Sequence, residues 1–232
     1  THDGLTCSFS QVHMGSYGNN VAAEYNLTRQ AQDEWSYRSH KLAIEAIEAG
    51  KFAEEIVPVE VPQRKGDPIL VKDDESPRAD TSIEKLAKLR PAFDKDGTIT
   101  AGNAPGVNDG AAALVLMSEE RAEAEGADKL ATIIAHTQLA IEPENFPKTP
   151  GLVINKLLEK TGKKVEDIDL FEVNEAFASV IKAWEKELKP NMEKVNSRGG
   201  AIALGHPLGA SGARLATRLL HRLEDGEGKY GL

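Results

Sequence analysis

The chain has 232 residues, 40% hydrophobic and 28% charged, with a formal net charge of −9, which suits a soluble globular protein of one large or two small domains. The acidic balance speaks against a nucleic-acid surface, which is normally basic, and the absence of any run of 18 apolar residues speaks against a membrane span. The single cysteine, Cys7, excludes an internal disulfide and fits a reducing, cytoplasmic compartment.

Residues 1–19 carry His2, Cys7, His13 and Met14, with Gly15 and Gly18 behind them, and read as a surface loop. No basic segment followed by an apolar one marks a secretory signal. One cysteine and two histidines at these spacings match no zinc pattern, so no metal is expected. Thr28 to Ala49 reads as a helix: Thr28 caps it, Gly50 closes it, and Trp35, Leu42, Ala46 and Ala49 lie near one face. Trp35 is expected to pack. Ile56, Val57, Val59 and Val61 suggest a strand, and Pro58 and Pro62 put it at an edge. Pro62 to Asp80 is polar and carries both signs of charge; a loop this long is either disordered or a binding lid. Ser82 to Leu89 reads as a short helix, and Asp94 to Gly110 as irregular chain.

Ala111 to Met117 reads as a buried strand, Ser118 to Glu125 as a capped polar helix closed by Gly126, and Ala131 to Ala135 as another strand. Thr149-Pro150 marks a helix start, with Val153, Ile154, Leu157 and Leu158 on the apolar face and Gly162 at the end. Asp167 to Val173 reads as a strand that runs straight into Asn174 and Glu175. Phe177, Val180, Ile181, Trp184 and Leu188 then follow helical spacing. Asn174 and Glu175 thus lie at a strand end and a helix start, where reacting groups collect in α/β folds. The alternative is that Asn174 only caps the helix. Strands alternating with helices through the second half predict an α/β fold with helices over a largely buried sheet. The chain starts without methionine and stops at Lys229 to Leu232, where another strand is due, so both ends read as cut.

Gly199 to Arg214, GGAIALGHPLGASGAR, holds one proton-trading residue, His206, in a glycine-rich bend before a helix. Leu215, Leu219 and Leu223 mark the helix stripe, and Ser211 is a candidate cap. Three readings compete. A phosphate loop fits poorly, because the glycine spacing matches neither G-x-G-x-x-G nor a P-loop. A structural turn is the plain reading. A catalytic histidine needs support from elsewhere in the chain.

That support comes from a resemblance. Asn174-Glu175-Ala176-Phe177 followed by Gly205-His206-Pro207 resembles the thiolase family. So do His13-Met14-Gly15, Leu89-Arg90-Pro91-Ala92-Phe93, Thr100-Ala101-Gly102-Asn103 and Asn108-Asp109-Gly110-Ala111-Ala112, in the family's order. The resemblance implies a thiolase-like layered α/β/α fold, incomplete and with an inserted loop domain. Residues 1–94 would be that cofactor-covering domain, 95–126 the end of the N-terminal half, and 127–232 a C-terminal half stopping before its last strands. It implies Claisen-type acyl transfer between acyl-CoA thioesters, with coenzyme A or acetyl-CoA as substrate and no tightly bound cofactor. His206 matches the histidine that activates the nucleophilic cysteine and donates to the thioester oxyanion. Asn174 matches the residue that holds a water in that oxyanion hole. Leu5, His13, Met14, Arg78, Phe93, Ala101 and Phe177 match positions that contact coenzyme A or shape its tunnel, with Arg78 facing the nucleotide end.

The departures carry equal weight. The family's nucleophilic cysteine lies upstream of the His-Met-Gly block, and its second cysteine lies in a Cys-x-Gly near the C-terminus; Cys7 matches neither. Pro105, Arg198 and Phe146-Pro147 replace residues common in the family. The resemblance implies a homo-oligomer or a complementing thiolase chain as partner, and an isolated chain that is inactive. The alternatives are a non-catalytic, coenzyme A-binding or scaffolding subunit, and an inactive fragment.

Overall fold

The computed structural model describes residues 2–232. A kinked turn, α1 (His2–Leu5), leads into a loop closed by an antiparallel bridge between Thr6 and His13. The loop expected over 1–19 ends early, because Met14–Glu24 forms a helix, α2, capped by His13 Nδ1 accepting from Gly15 N at 3.0 Å. The glycines that argued against a helix here allow close approach: a Cβ on Gly18 would lie 2.5 Å from Ile99 Cδ1 and 3.0 Å from Phe177 Cδ2. Packing outweighs the modest helix penalty of glycine.

The helix α3 (Arg29–Glu48) starts at Thr28, whose Oγ1 accepts from Ala31 N at 3.1 Å, and turns out at Gly50. Its buried face is more polar than its hydrophobic spacing suggested. Gln32, Asp33, Ser36, Ser39 and His40 are buried beside Trp35, Ala43 and Ala46, while Ala49 is exposed. Buried polar groups need partners, and these reach across the fold. Gln32 Nε2 donates to Thr98 Oγ1 at 2.9 Å, and Asp33 Oδ1 accepts from Asn103 Nδ2 at 3.0 Å.

The strand β1 (Val59–Val61) pairs antiparallel with β2 (Ile69–Val71), with Val59 opposite Val71. The second strand falls inside the polar stretch expected to be a lid or disordered, where Ile69, Leu70 and Val71 suffice for an exposed hairpin. The helices α4 (Ile83–Ala87) and α5 (Glu119–Glu125) stand as expected, capped by Ser82 and Ser118. Two expected strands do not form. Residues 111–117 and 131–135 pair with no strand among the described residues, and Val115 is 86% and Ile133 68% exposed. Apolar spacing marks a segment that wants neighbours; hydrogen bonds between chains are what make it a strand.

A 3₁₀ turn at Pro143–Lys148 precedes α6 (Thr149–Thr161), where Thr149 Oγ1 donates back to Phe146 O at 2.7 Å rather than capping the helix. The extended segment 168–173 then runs through the core. It makes parallel bridges on both sides, Leu170 with Gly231 and Phe171 with Val195, in place of the longer strand expected. Around Phe171 and Val173 pack Trp35 of α3, Ile154 and Leu158 of α6, and Ile181 and Trp184 of α7 (Ala178–Leu188). Phe171 meets Trp184 edge-on at 5.5 Å.

The short helix α8 (Ala201–Leu204) packs on α3, and α9 (Ser211–Glu224) closes the chain. The leucine stripe expected to bury α9 is only half-buried; beyond Ser211 at its start, the buried residues are Arg218 and Arg222, 2% and 1% exposed. Ser211 does not cap the helix, since Ala210 holds that position. Arg222 Nη1 meets Glu172 Oε1 at 2.7 Å, with both side chains 1% exposed. Arg222 Nε reaches Glu227 at 2.8 Å, and Arg198 reaches both Asp225 and Glu227. No helix among the described residues is long and apolar enough to cross a membrane.

Two expectations follow. Arg222→Ala removes the guanidinium that meets the buried Glu172 carboxyl, so urea unfolding of this variant should show a loss of roughly 3–5 kcal/mol. The exposed apolar segments should bind a hydrophobic dye and drive concentration-dependent association in sedimentation runs, and Val115→Glu with Ile133→Lys should reduce both signals.

Candidate active site

Two turns meet at the ends of core elements. The first follows the 168–173 segment, where Asn196 stands beside Val173. Asn196 Oδ1 accepts from Val173 N at 2.8 Å and Asn196 Nδ2 donates to Val173 O at 2.8 Å. One side chain thus does what a neighbouring strand would do. Asn196 itself holds φ +45°, a left-handed setting that asparagine tolerates better than most residues. Asn174 comes next, and it does not cap α7. Phe177 is at the cap position without a side-chain bond, and Asn174 Nδ2 lies 3.2 Å from His206 Nε2. The imidazole and the carboxamide therefore converge.

The second turn leaves α8 through Gly205, φ +99°, where a Cβ would lie 2.7 Å from the Asn108 carboxamide carbon. His206 N donates to Asn108 Oδ1 at 3.2 Å, which ties the turn to the Asn108-Asp109-Gly110 stretch. His206 Nδ1 lies 2.6 Å from Ser211 Oγ, and Ser211 Oγ donates to Pro207 O at 2.9 Å. A hydroxyl has one proton to give. With that proton on Pro207 O, Ser211 accepts from His206 Nδ1–H, and Nε2 is left with the lone pair that receives Asn174 Nδ2–H. Burial pushes the His206 imidazole below its ordinary titration range, and the guanidinium of Arg214 pushes the same way. His206 is therefore neutral at pH 7, with a basic nitrogen held next to an amide donor.

Beside this pair is a cleft of about 410 Å³ lined by residues 108–112 on one wall and 207–210 on the other. Of the residues expected to contact coenzyme A, four form one cluster. His13 stacks on Phe93 at 4.5 Å, Phe93 meets Phe177 edge-on at 6.0 Å, and Met14 packs against the same group. Leu5 ends α1, whose Gly4 lies against Leu208 of the cleft wall. Ala101 is exposed in the turn after Thr100. Arg78 is exposed too, and its backbone N–H donates to His40 Nδ1 at 3.2 Å. Two residues that the sequence did not assign to the site touch it: Ser211, a candidate helix cap, meets His206 Nδ1, and Asn108, a member of one motif, accepts from His206 N. Glu175, which follows Asn174 at the end of the core segment, bonds instead to Trp35, Ser39, Asn196 and Ile202. Asn108 lies 98 residues from His206 along the chain, and no local spacing rule reaches that far.

Comparison with known proteins places the chain in a family. The thiolase N-terminal domain model matches residues 1–120, and the thiolase C-terminal domain model matches residues 127–232. A probable acetyl-CoA acyltransferase of Staphylococcus aureus (strain N315) is 49% identical over 224 residues, covering 97% of this chain and 57% of its own length. A protein of the same description from Staphylococcus epidermidis is 48% identical over 223 residues, with 96% and 57% covered. The crystal structure of the Bacillus anthracis acetyl-CoA acetyltransferase superimposes with a TM-score of 0.95 at 45% identity, covering 98% of this chain and 57% of that one. The chain thus spans a little over half the length of the relatives it matches. With both family domains matched in order and the fold superimposed along nearly its whole extent, this chain belongs to the thiolase family.

Proposed function

We propose that these residues form the oxyanion half of a thiolase-type active site that acts on acyl-CoA thioesters, by Claisen condensation or thiolytic cleavage. The 3.2 Å approach of Asn174 Nδ2 to His206 Nε2 carries this reading. Neutral His206 is the base that takes the proton of a cysteine thiol. The resulting thiolate attacks the thioester carbonyl, and coenzyme A leaves as its thiolate. The imidazolium Nε2–H then faces the carbonyl oxygen, with the Asn174 amide holding a water beside it. Charge developing on that oxygen meets donors already in position, which is worth about 10²–10³ in rate for one such donor. Ser211 keeps the ring oriented, and Asn108 holds the backbone of its turn.

Residues 1–94 are read as the segment that covers the cofactor. Leu5, His13, Met14, Phe93, Ala101 and Phe177 face the pantetheine, and Arg78 faces the nucleotide end. The full cycle uses two thiols, one acylated and one moving a proton on acetyl-CoA, whereas the chain holds one cysteine. Cys7 is buried in the 6–13 loop, and hydrogen bonds from Ser10 pull its thiol down to about 7. The 232 residues by themselves are therefore read as inactive. Turnover depends on thiols from outside these residues, supplied by a fuller cytoplasmic thiolase chain, which would assemble as a homo-oligomer, or by a complementing thiolase chain.

Incubation with acetyl-CoA should leave the intact mass unchanged; a stoichiometric adduct on Cys7 that vanishes in His206→Ala would overturn the assignment. Calorimetry should detect coenzyme A binding, weakened in Arg78→Glu more for coenzyme A than for pantetheine. Absence of any binding would retire the cofactor-covering role.

A further inference from the structure

Glu175 is 0% exposed, and its carboxylate accepts four hydrogen bonds. Oε1 accepts from Trp35 Nε1 at 3.0 Å and Asn196 Nδ2 at 3.1 Å. Oε2 accepts from Ser39 Oγ at 2.8 Å and Ile202 N at 3.0 Å. These donors come from α3, from the residue that braces Val173, and from the first turn of α8. Glu175 directly follows Asn174, and Ile202 lies one helical turn before His206. One group therefore grips both turns whose tips form the imidazole–carboxamide contact.

The surroundings are built to admit that group. A Cβ on Gly200 would lie 2.2 Å from the Glu175 carboxyl carbon, so only glycine lets the backbone pass there. Gly200 N donates to Ser39 Oγ at 3.0 Å, which leaves the Ser39 proton free for Glu175. The carboxylate faces two guanidiniums at longer range, Arg38 and Arg214. Arg38 lies over the Trp35 ring at 4.7 Å.

We propose that Glu175 is a positioning residue for the His206–Asn174 pair: its carboxylate sets the separation of the two turns without touching the reacting atoms. The inference rests on the function proposed above for that pair. It requires an acceptor at all four bonds, which only a carboxylate supplies. In Glu175→Gln the amide NH₂ has to face one pair of donors. The Oε2 side is the milder choice, because Ser39 Oγ can accept a proton there. On the Oε1 side the indole N–H cannot turn round, and Asn196 would have to give up Val173. The substitution therefore sets NH₂ against Ile202 N–H and releases the start of α8, which leads to His206.

The test is NMR on the 232-residue chain with labelled histidine and asparagine side chains, the exposed His136 serving as internal reference. In the parent chain, His206 Hε1 and the Asn174 side-chain amide should show a through-space contact. In Glu175→Gln, with the circular dichroism spectrum retained, that contact should be lost. The His206 titration midpoint should rise by about half a unit or more as the ring gains solvent. A Glu175→Gln protein that merely melts earlier, with the contact and the midpoint unchanged, would overturn the proposal. If Glu175→Gln does not fold, Ser39→Ala loosens the same side of the carboxylate and is read by the same two signals with the same meaning. Coenzyme A calorimetry on the parent chain separates the two claims, since failure to bind would count against the proposed function and leave both NMR signals to be judged on their own.

Discussion

A buried carboxylate with four donors and no charged partner in contact is the constraint on which the rest of this structure turns. Removing such a charge from water is expensive unless every lone pair is met. Meeting them here requires that α3, the brace at Asn196 and the start of α8 all arrive at Glu175. The arrangement accounts for otherwise odd choices. Ser39 and Trp35 are buried on α3 because their polar atoms are needed there. Gly199 adopts φ +75°, with space for no side chain, because a Cβ would lie 2.6 Å from Ser39 O. The glycine pair thus lets the backbone pass between α3 and the carboxylate.

A second set of buried charges holds the other flank. Arg222 joins α9 to Glu172 on the core segment, and Arg198 joins the chain before Gly199 to the end of α9. Arg218 lies over the Phe52 ring at 4.4 Å and meets Glu55 at 3.1 Å. Helix α9 is therefore registered by its arginines, and that register brings Ser211 to His206 Nδ1 and Arg214 within electrostatic reach of the ring. The same helix orients the imidazole, and its Arg214 adds to the burial that holds the ring neutral.

Much of the local structure was legible in the residues. Thr28, Ser82 and Ser118 announce helices because a cap is satisfied within one turn of chain. Gly126 and Gly162 end them because left-handed backbone suits glycine. The convergence of Asn174 and His206 was legible only through the resemblance carried by their motifs. What misled was always a non-local matter. Gly15 and Gly18 looked like loop residues until the rings of Phe93 and Phe177 were packed against them. Residues 111–117 looked like a buried strand, yet burial belongs to neighbours and not to a spacing.

By itself, the order of residues determined the capped helices α3, α4 and α5, the apolar runs and the two motif turns, because caps, periodicity and glycine bends act over a few neighbouring residues. Tertiary structure alone decided that Asn174 faces an imidazole instead of a helix end, that the Ser211 hydroxyl serves His206 instead of capping α9, and that arginines rather than leucines are buried along that helix. The physical reason is that a buried polar atom takes whichever partner the whole fold brings within hydrogen-bond reach. For Glu175 those partners lie up to 140 residues away along the chain.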